Sequence, residues 1–303
     1  MKTAFLFAGQ GSQHVGMGKD LYEEFPEFKE IFDCLPENLK NIAFDGPSEK
    51  LVKTENTQPI MLAFALGVFK VLEKNGIKPD MAAGLSLGEY SALASAGVFE
   101  PKTAIELISF RGKEMAKASE GVACVMSAVL GLDRDVLAEI VVEASKAGKV
   151  EIANYNCPGQ IVVSGTEEGV SACEKLVAEK GARRCMRLAV SGPFHTSYML
   201  PAGKALEEKF KEINFGEMNF PVIFNCIGRE KAADESIQEL LVKQVSSSVY
   251  FEDSIKYMKE AGVEQIVEIG PGKVLSGFVK KTDRSIKLVN IETAEDIKAL
   301  ISE

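Results

Sequence analysis

Histidine is scarce: the 303 residues hold only His14 and His195, and the six cysteines (Cys34, Cys124, Cys157, Cys173, Cys185, Cys226) never form a C-x-x-C pair. Zinc centres are built from such residues at short spacing, so no metal site is expected. Scattered cysteines suit reduced thiols serving as small hydrophobes in a cytoplasmic protein. Long apolar runs are also lacking. The longest, Ile60 to Phe69, is about half of the roughly 20 residues that cross a bilayer, which excludes a membrane segment. The apolar start, Ala4 to Ala8, is short and runs at once into a Gly/Gln/Ser turn, which suits a first strand and not a signal peptide. There is no basic excess. A net charge of -9 and a pI near 5.1 argue against nucleic acid as a partner. Repeats and low-complexity tracts are absent, and 46% hydrophobic with 26% charged residues describes a soluble globular chain.

Two nucleotide motifs are incomplete. Gly9-Gln10-Gly11-Ser12-Gln13-His14 lacks the third glycine of G-x-G-x-x-G. In Gly270-Pro271-Gly272-Lys273 the first P-loop glycine would fall at Val267, and Val274 stands where a magnesium-binding Ser or Thr belongs. Both read as tight turns after strands.

What is present is an alternation of helix and strand signals, the pattern of an α/β protein. Thr3 to Phe7 predicts a first strand; Pro59 opens an apolar helix to about Lys74, stopped by Gly76; a second helix starts near Pro101. Later strands are expected at Phe220–Asn225, Gln265–Ile269 and Lys287–Ile291, fitting a mainly parallel sheet. Between these halves the rhythm changes. Strands at Cys124–Leu132, Val150–Asn154, Gln160–Gly165 and Ala182–Leu188 interleave with helices at Asp133–Ala147 and Thr166–Lys180. That βαββαβ order is ferredoxin-like. The expected organisation is a large α/β-hydrolase-like domain, 1–121 plus 191–303, carrying a small inserted ferredoxin-like domain at 122–190.

Gly84-Leu85-Ser86-Leu87-Gly88 reads as a nucleophile elbow, in which glycines flank the serine because a side chain would collide with neighbouring backbone. The hydroxyl then stands at a helix N-terminus, where unpaired N–H groups can hold an oxyanion. By itself the pattern also fits a Gly/Ser turn ending a buried strand. Ser86 needs a base, and of the two histidines His195, in the rigid turn Ser191-Gly192-Pro193-Phe194-His195, is favoured over His14. An α/β-hydrolase places its carboxylate between serine and histidine and its histidine after the last strands. Here more than a hundred residues follow His195, which suggests a dyad whose histidine is oriented by a carbonyl. Arg111 has apolar helix neighbours at Leu107, Ile108 and Met115; it projects into a partly buried site or snorkels along a helix edge.

Together these segments resemble the malonyl-CoA:acyl carrier protein transacylases of bacterial fatty-acid synthesis. The match runs through Phe7–Gln13, Gly84–Tyr90, Arg111–Met115, Asn154–Gln160, Pro193-Phe194-His195, Gln244-Val245 and Glu268–Leu275, essentially the whole chain. The resemblance implies a ping-pong reaction in which Ser86 takes malonyl from malonyl-CoA, with His195 as base, and passes it to the phosphopantetheine thiol of an acyl carrier protein. It implies Gln10 and Leu87 as oxyanion-hole donors, Arg111 on the malonyl carboxylate, the Gln244 carbonyl orienting the histidine, and Asn156 and Asn225 lining the pocket. No cofactor is implied, since malonyl-CoA and the carrier are substrates, and a cytoplasmic monomer is expected. Leu85 replaces the histidine usual before the serine, Ala8 replaces a proline in the first motif, and Ser248 stands where proline often follows the glutamine. Docking of an acidic carrier calls for a basic patch, for which Lys180, Arg183, Arg184 and Arg187, or Lys273, Lys280, Lys281 and Arg284, are candidates unless they form solvated faces. An esterase or thioesterase would share the elbow without needing Arg111, and a carrier-binding scaffold would need neither Ser86 nor His195.

Overall fold

Four strands carry the first sheet: β1 (Lys2–Phe7), β2 (Met81–Gly84), β10 (Val263–Ile269) and β11 (Lys287–Ile291), in the order β11-β10-β1-β2 and all parallel. The computed structural model describes residues 1–188 and 192–302. Ala4 to Phe7 of β1 are all buried, as expected of a central strand covered on both faces, and this explains its unbroken apolar run. The chain divides into two compact units, one made of Met1–Lys113, Glu212–Ile223 and the segment from Tyr257 on, the other of Glu114–Lys211 and Phe224–Lys256.

In the second unit β3 (Cys124–Leu130), β4 (Val150–Cys157), β5 (Gln160–Thr166), β6 (Arg184–Arg187) and β9 (Val249–Tyr250) form a sheet ordered β6-β3-β5-β4-β9. The first four strands pair antiparallel, and β9 joins β4 in parallel. The helices Arg134–Ala144 and Glu167–Glu179 follow β3 and β5. Their inward residues Leu137, Ile140, Val170, Cys173 and Val177 meet Val129 and Val163 of the strands in one core. Each such valine or leucine contributes about 1.5 to 3 kcal/mol by leaving water. Thr166 caps the second helix, its hydroxyl accepting from the Gly169 N–H. A separate ribbon joins β7 (Ile223–Phe224) and β8 (Arg229–Glu230).

Three element expectations need correction. The long helix spans Thr54–Lys74, with Pro59 inside it rather than opening it. The proline's missing donor falls opposite the Glu55 carbonyl, so the helix continues through it at the loss of one i→i−4 bond. The strand expected at Phe220–Asn225 shrinks to two residues, because Pro221 has no N–H and reaches β2 only by its carbonyl, which accepts from Ala82 at 2.9 Å. The helix expected at Asp133–Ala147 runs from Arg134 to Ala144, with Asp133 at its N-cap making no side-chain cap bond. The boundary expected at 190/191, with Ser191, lies outside the described residues.

Candidate active site

Parallel register brings three loops out at one level. Phe7 lies opposite both Gly84 and Ile269, so the Ala8–Gln13 loop, the Leu85-Ser86 bend and the Gly270–Lys273 turn all leave the C-terminal edge of the first sheet. Ser86 is the N-cap of the helix Leu87–Ser95, with φ 55° and ψ −105°. Such a backbone costs on the order of 1 to 3 kcal/mol and persists only where its surroundings enforce it. The enforcement is steric. A Cβ on Gly84 would sit 2.0 Å from the Gly88 carbonyl carbon, one on Gly88 2.2 Å from the Phe7 oxygen, and one on Gly9 2.6 Å from the Leu85 oxygen. The elbow reading of the glycines therefore holds. Leu87 N–H opens the helix, where no intrahelical acceptor exists.

Arg111, from the helix Pro101–Ser119, is fully buried. Its Nη2 donates to Ser86 Oγ at 3.2 Å and its Nη1 to Gln58 Oε1 at 2.6 Å. Gln58 Nε2 donates to Thr54 Oγ1 at 2.8 Å, and that hydroxyl donates to Gln10 Oε1 at 2.9 Å. A continuous chain of buried side chains thus ties the arginine beside the serine to the loop after β1. The guanidinium lies 5.2 Å from the Tyr90 ring centroid. Burial pushes it below its ordinary value, with Tyr90 and Glu89 opposing, and burial pushes the Tyr90 hydroxyl up. The snorkelling alternative for Arg111 is excluded. Gln58 and Thr54 escaped the sequence reading; their signal was a threonine and a glutamine four apart, one helical face, at the start of an otherwise apolar helix.

In the second unit His195 is buried and has φ 59°. Its Nδ1 lies 3.0 Å from the Gln244 carbonyl oxygen. A carbonyl only accepts, so in the neutral ring Nδ1 carries the proton and Nε2 keeps the basic lone pair. This acceptor belongs to Gln244, the residue named above for orienting the histidine. Asn156 and Asn225 are buried in the same unit. Asn156 Oδ1 has no hydrogen-bond partner among the described residues, whereas the Asn225 carbonyl accepts from Tyr250 N. His14 is half-exposed, with Nε2 2.9 Å from Glu292 Oε1 and Nδ1 3.2 Å from the Val15 carbonyl. Burial lowers its pKa, but the bonds to Glu292 and Val15 outweigh that and raise it. Among the described residues no group of three His, Cys, Asp or Glu could hold a metal ion, and no helix is long and apolar enough to cross a membrane.

A model of the acyl transferase domain matches residues 4–301. The chain belongs to the acyl transferase domain family. The malonyl CoA-acyl carrier protein transacylase of Bacillus subtilis is 42% identical, over 99% of this chain and 96% of its own. A solved transacylase of the same name from Clostridium perfringens superposes with TM-score 0.95 at 40% identity, covering 100% of this chain and 96% of its own. A malonyl-transacylase solved in complex with a type II PKS acyl-carrier protein gives TM-score 0.95 at 35% identity, covering 100% and 99%.

In this acyl transferase the Glu268–Leu275 motif is structural. Glu268 is buried at the end of β10, and its carboxylate accepts from Leu275 N at 2.9 Å, Ser276 N at 2.7 Å and Asn290 Nδ2 at 2.9 Å. It caps the helix Val274–Thr282 and offsets the dipole there. Gly270 and Gly272 take φ 142° and 77°, and a Cβ on Gly270 would meet that of Ala8 at 2.4 Å. The tight-turn reading of this motif is correct. Of the candidate basic residues, Arg187 is bound to Glu167 at 2.7 Å and Glu174 at 3.1 Å, while Lys180, Arg183, Arg184 and the second group are exposed.

Proposed function

We propose that this acyl transferase moves malonyl from malonyl-CoA to the phosphopantetheine thiol of an acyl carrier protein, supplying fatty-acid synthesis. One observation carries the choice of acyl group: a buried guanidinium 3.2 Å from the hydroxyl of the elbow serine. A carboxylate on the acyl chain would meet it bidentately, whereas acetyl brings no carboxylate to it. Ser86 Oγ attacks the thioester carbonyl as its proton passes to His195 Nε2. The oxyanion accepts from the N–H groups of Leu87 and Gln10, each donor contributing about 3 to 4 kcal/mol at the transition state. The C–S bond then breaks, and CoA leaves with the proton from His195. In the second half the carrier thiol attacks the malonyl-serine ester, the thiol proton passes through His195, and Ser86 regains its hydroxyl. Asn156 and Asn225 line the acyl pocket, and Gln244 holds His195 in its working tautomer.

The names of the relatives support this substrate pair, and the hydrogen bond from His195 to a carbonyl supports a dyad. In this reading the reaction needs no cofactor and the chain works as a cytoplasmic monomer. Residues 122–190 are read as an inserted ferredoxin-like domain and 1–121 plus 191–303 as a hydrolase-like one; the strand order β6-β3-β5-β4 with two helices supports the former. Incubation with malonyl-CoA should give a malonyl adduct on Ser86 by mass spectrometry, discharged by added carrier protein. Rapid release of free malonate would make the chain a thioesterase, and no adduct would make it a scaffold.

A further inference from the structure

We propose that Glu151 is a positioning residue for His195, a role that rests on the reading of His195 as the base. His195 holds a left-handed φ of 59° in a short turn, and two residues later the one-turn helix Ser197–Met199 begins. Glu151, on β4, meets that turn with both oxygens: Oε2 accepts from the Ser197 N–H at 3.0 Å, and Oε1 accepts from the Ser197 hydroxyl. Both bonds have an ionised acceptor, the stronger class. Lys149, two residues before on the extended chain and therefore on the same face, places Nζ 3.5 Å from Glu151 Oε1 and 4.4 Å from the centroid of the Tyr198 ring. The turn that follows His195 is thus fastened to β4 at Ser197, while Lys149, just before the strand, meets the Tyr198 ring.

The orienting carbonyl is fastened to the same strand. Four residues after Gln244, the Ser248 hydroxyl donates to the Ile152 carbonyl, and β9 pairs with β4 at Asn154 and Tyr155. Residues 151 and 152 are adjacent, so one short stretch of β4 sets both the position of the imidazole's backbone and that of its acceptor. A left-handed histidine has no steric lock of its own, since a side chain in that region is strained and persists only when its surroundings over-determine it. Thr196 Oγ1 to the Pro193 carbonyl, at 2.6 Å, is the local restraint; Glu151 supplies the long-range one.

A double-mutant cycle on the full-length protein tests this, reading single-turnover malonylation of Ser86 against malonyl-CoA concentration. Glu151→Ala should slow the saturated rate about 30-fold with half-saturation changed less than about threefold, the pattern of lost alignment rather than lost binding. Glu151→Gln, whose amide can still accept from Ser197 N and donate to its hydroxyl, should recover to within about fivefold of the parent. In a His195→Ala background, Glu151→Ala should cost less than about twofold, because a positioning residue has nothing left to position. A full 30-fold loss in that background overturns the positioning role alone. A His195→Ala protein that is acylated at the parental rate overturns the base assignment first, and this inference with it. Should Glu151→Ala fail to fold, Ser197→Ala removes one of the two bonds and serves in the same cycle, with an expected loss of about fivefold.

Discussion

The Ser86 bend and the His195 turn carry the only two non-glycine residues with positive φ among the described residues, yet they are held in opposite ways. Around Ser86 the lock is the absence of side chains: Gly84, Gly88 and Gly9 let backbone approach to distances no Cβ permits. Around His195 the lock is hydrogen bonding, from the ring to the Gln244 carbonyl and from Ser197 to Glu151. A steric lock is cheap in residue types and intolerant of any addition. A hydrogen-bonded lock tolerates conservative change but depends on distant partners.

The sharpest way to break this comparison is Arg111→Ala, which leaves the steric lock whole and removes its charge. Malonyl transfer should fall about a thousandfold, about 4 kcal/mol, while acetyl transfer holds or rises; equal loss of both would remove Arg111 from the substrate carboxylate. Next is Gly88→Ala, where the new methyl group meets the Phe7 oxygen at 2.2 Å. Urea unfolding should show about 3 kcal/mol of destabilisation, and a loss below about 1 would mean that the elbow has slack. On the hydrogen-bonded side Gln244→Ala keeps the carbonyl that His195 uses, so transfer should stay within about fivefold; a hundredfold loss would assign the hold to the side chain instead. The smallest effect concerns His14, whose Nε2 lies 2.9 Å from Glu292 Oε1. Its pKa is raised above 6.5 in the folded chain, so the stability it adds is full below 6.5 and fades as pH rises through the raised value. His14→Ala should therefore lower the melting temperature more at pH 5.5 than at pH 8.5, by a margin kept small by the half-exposed pair. Equal shifts at both values would show that the pair contributes nothing.

The same contrast explains what could be read from the chain. Ser86 with its glycines was legible because a steric requirement is written in adjacent residues. The strands at Cys124, Gln160 and Lys287 were legible because branched runs end at turn residues, and Lys287–Ile291 matched to the residue. Gln58 and Thr54 were not, because a buried polar pair in an apolar helix gains meaning only from Gln10 and Arg111, 44 and 53 residues away along the chain. Glu151 was hidden for the same reason: nothing around it announces that Ser197 will arrive. The helix start at Thr54 was missed because Pro59 imitates a first turn that had already begun.

The common ending level of β1, β2 and β10 has a practical consequence for anyone regrafting this site. The first sheet works as a ruler with one shared zero mark, set where Phe7, Gly84 and Ile269 come abreast. Loops beyond the mark can be lengthened or exchanged without disturbing it. A single residue gained or lost inside any of the three strands moves one edge off the mark and turns its side chains to the opposite face, so editing tolerance here is set by which side of that line the change falls on.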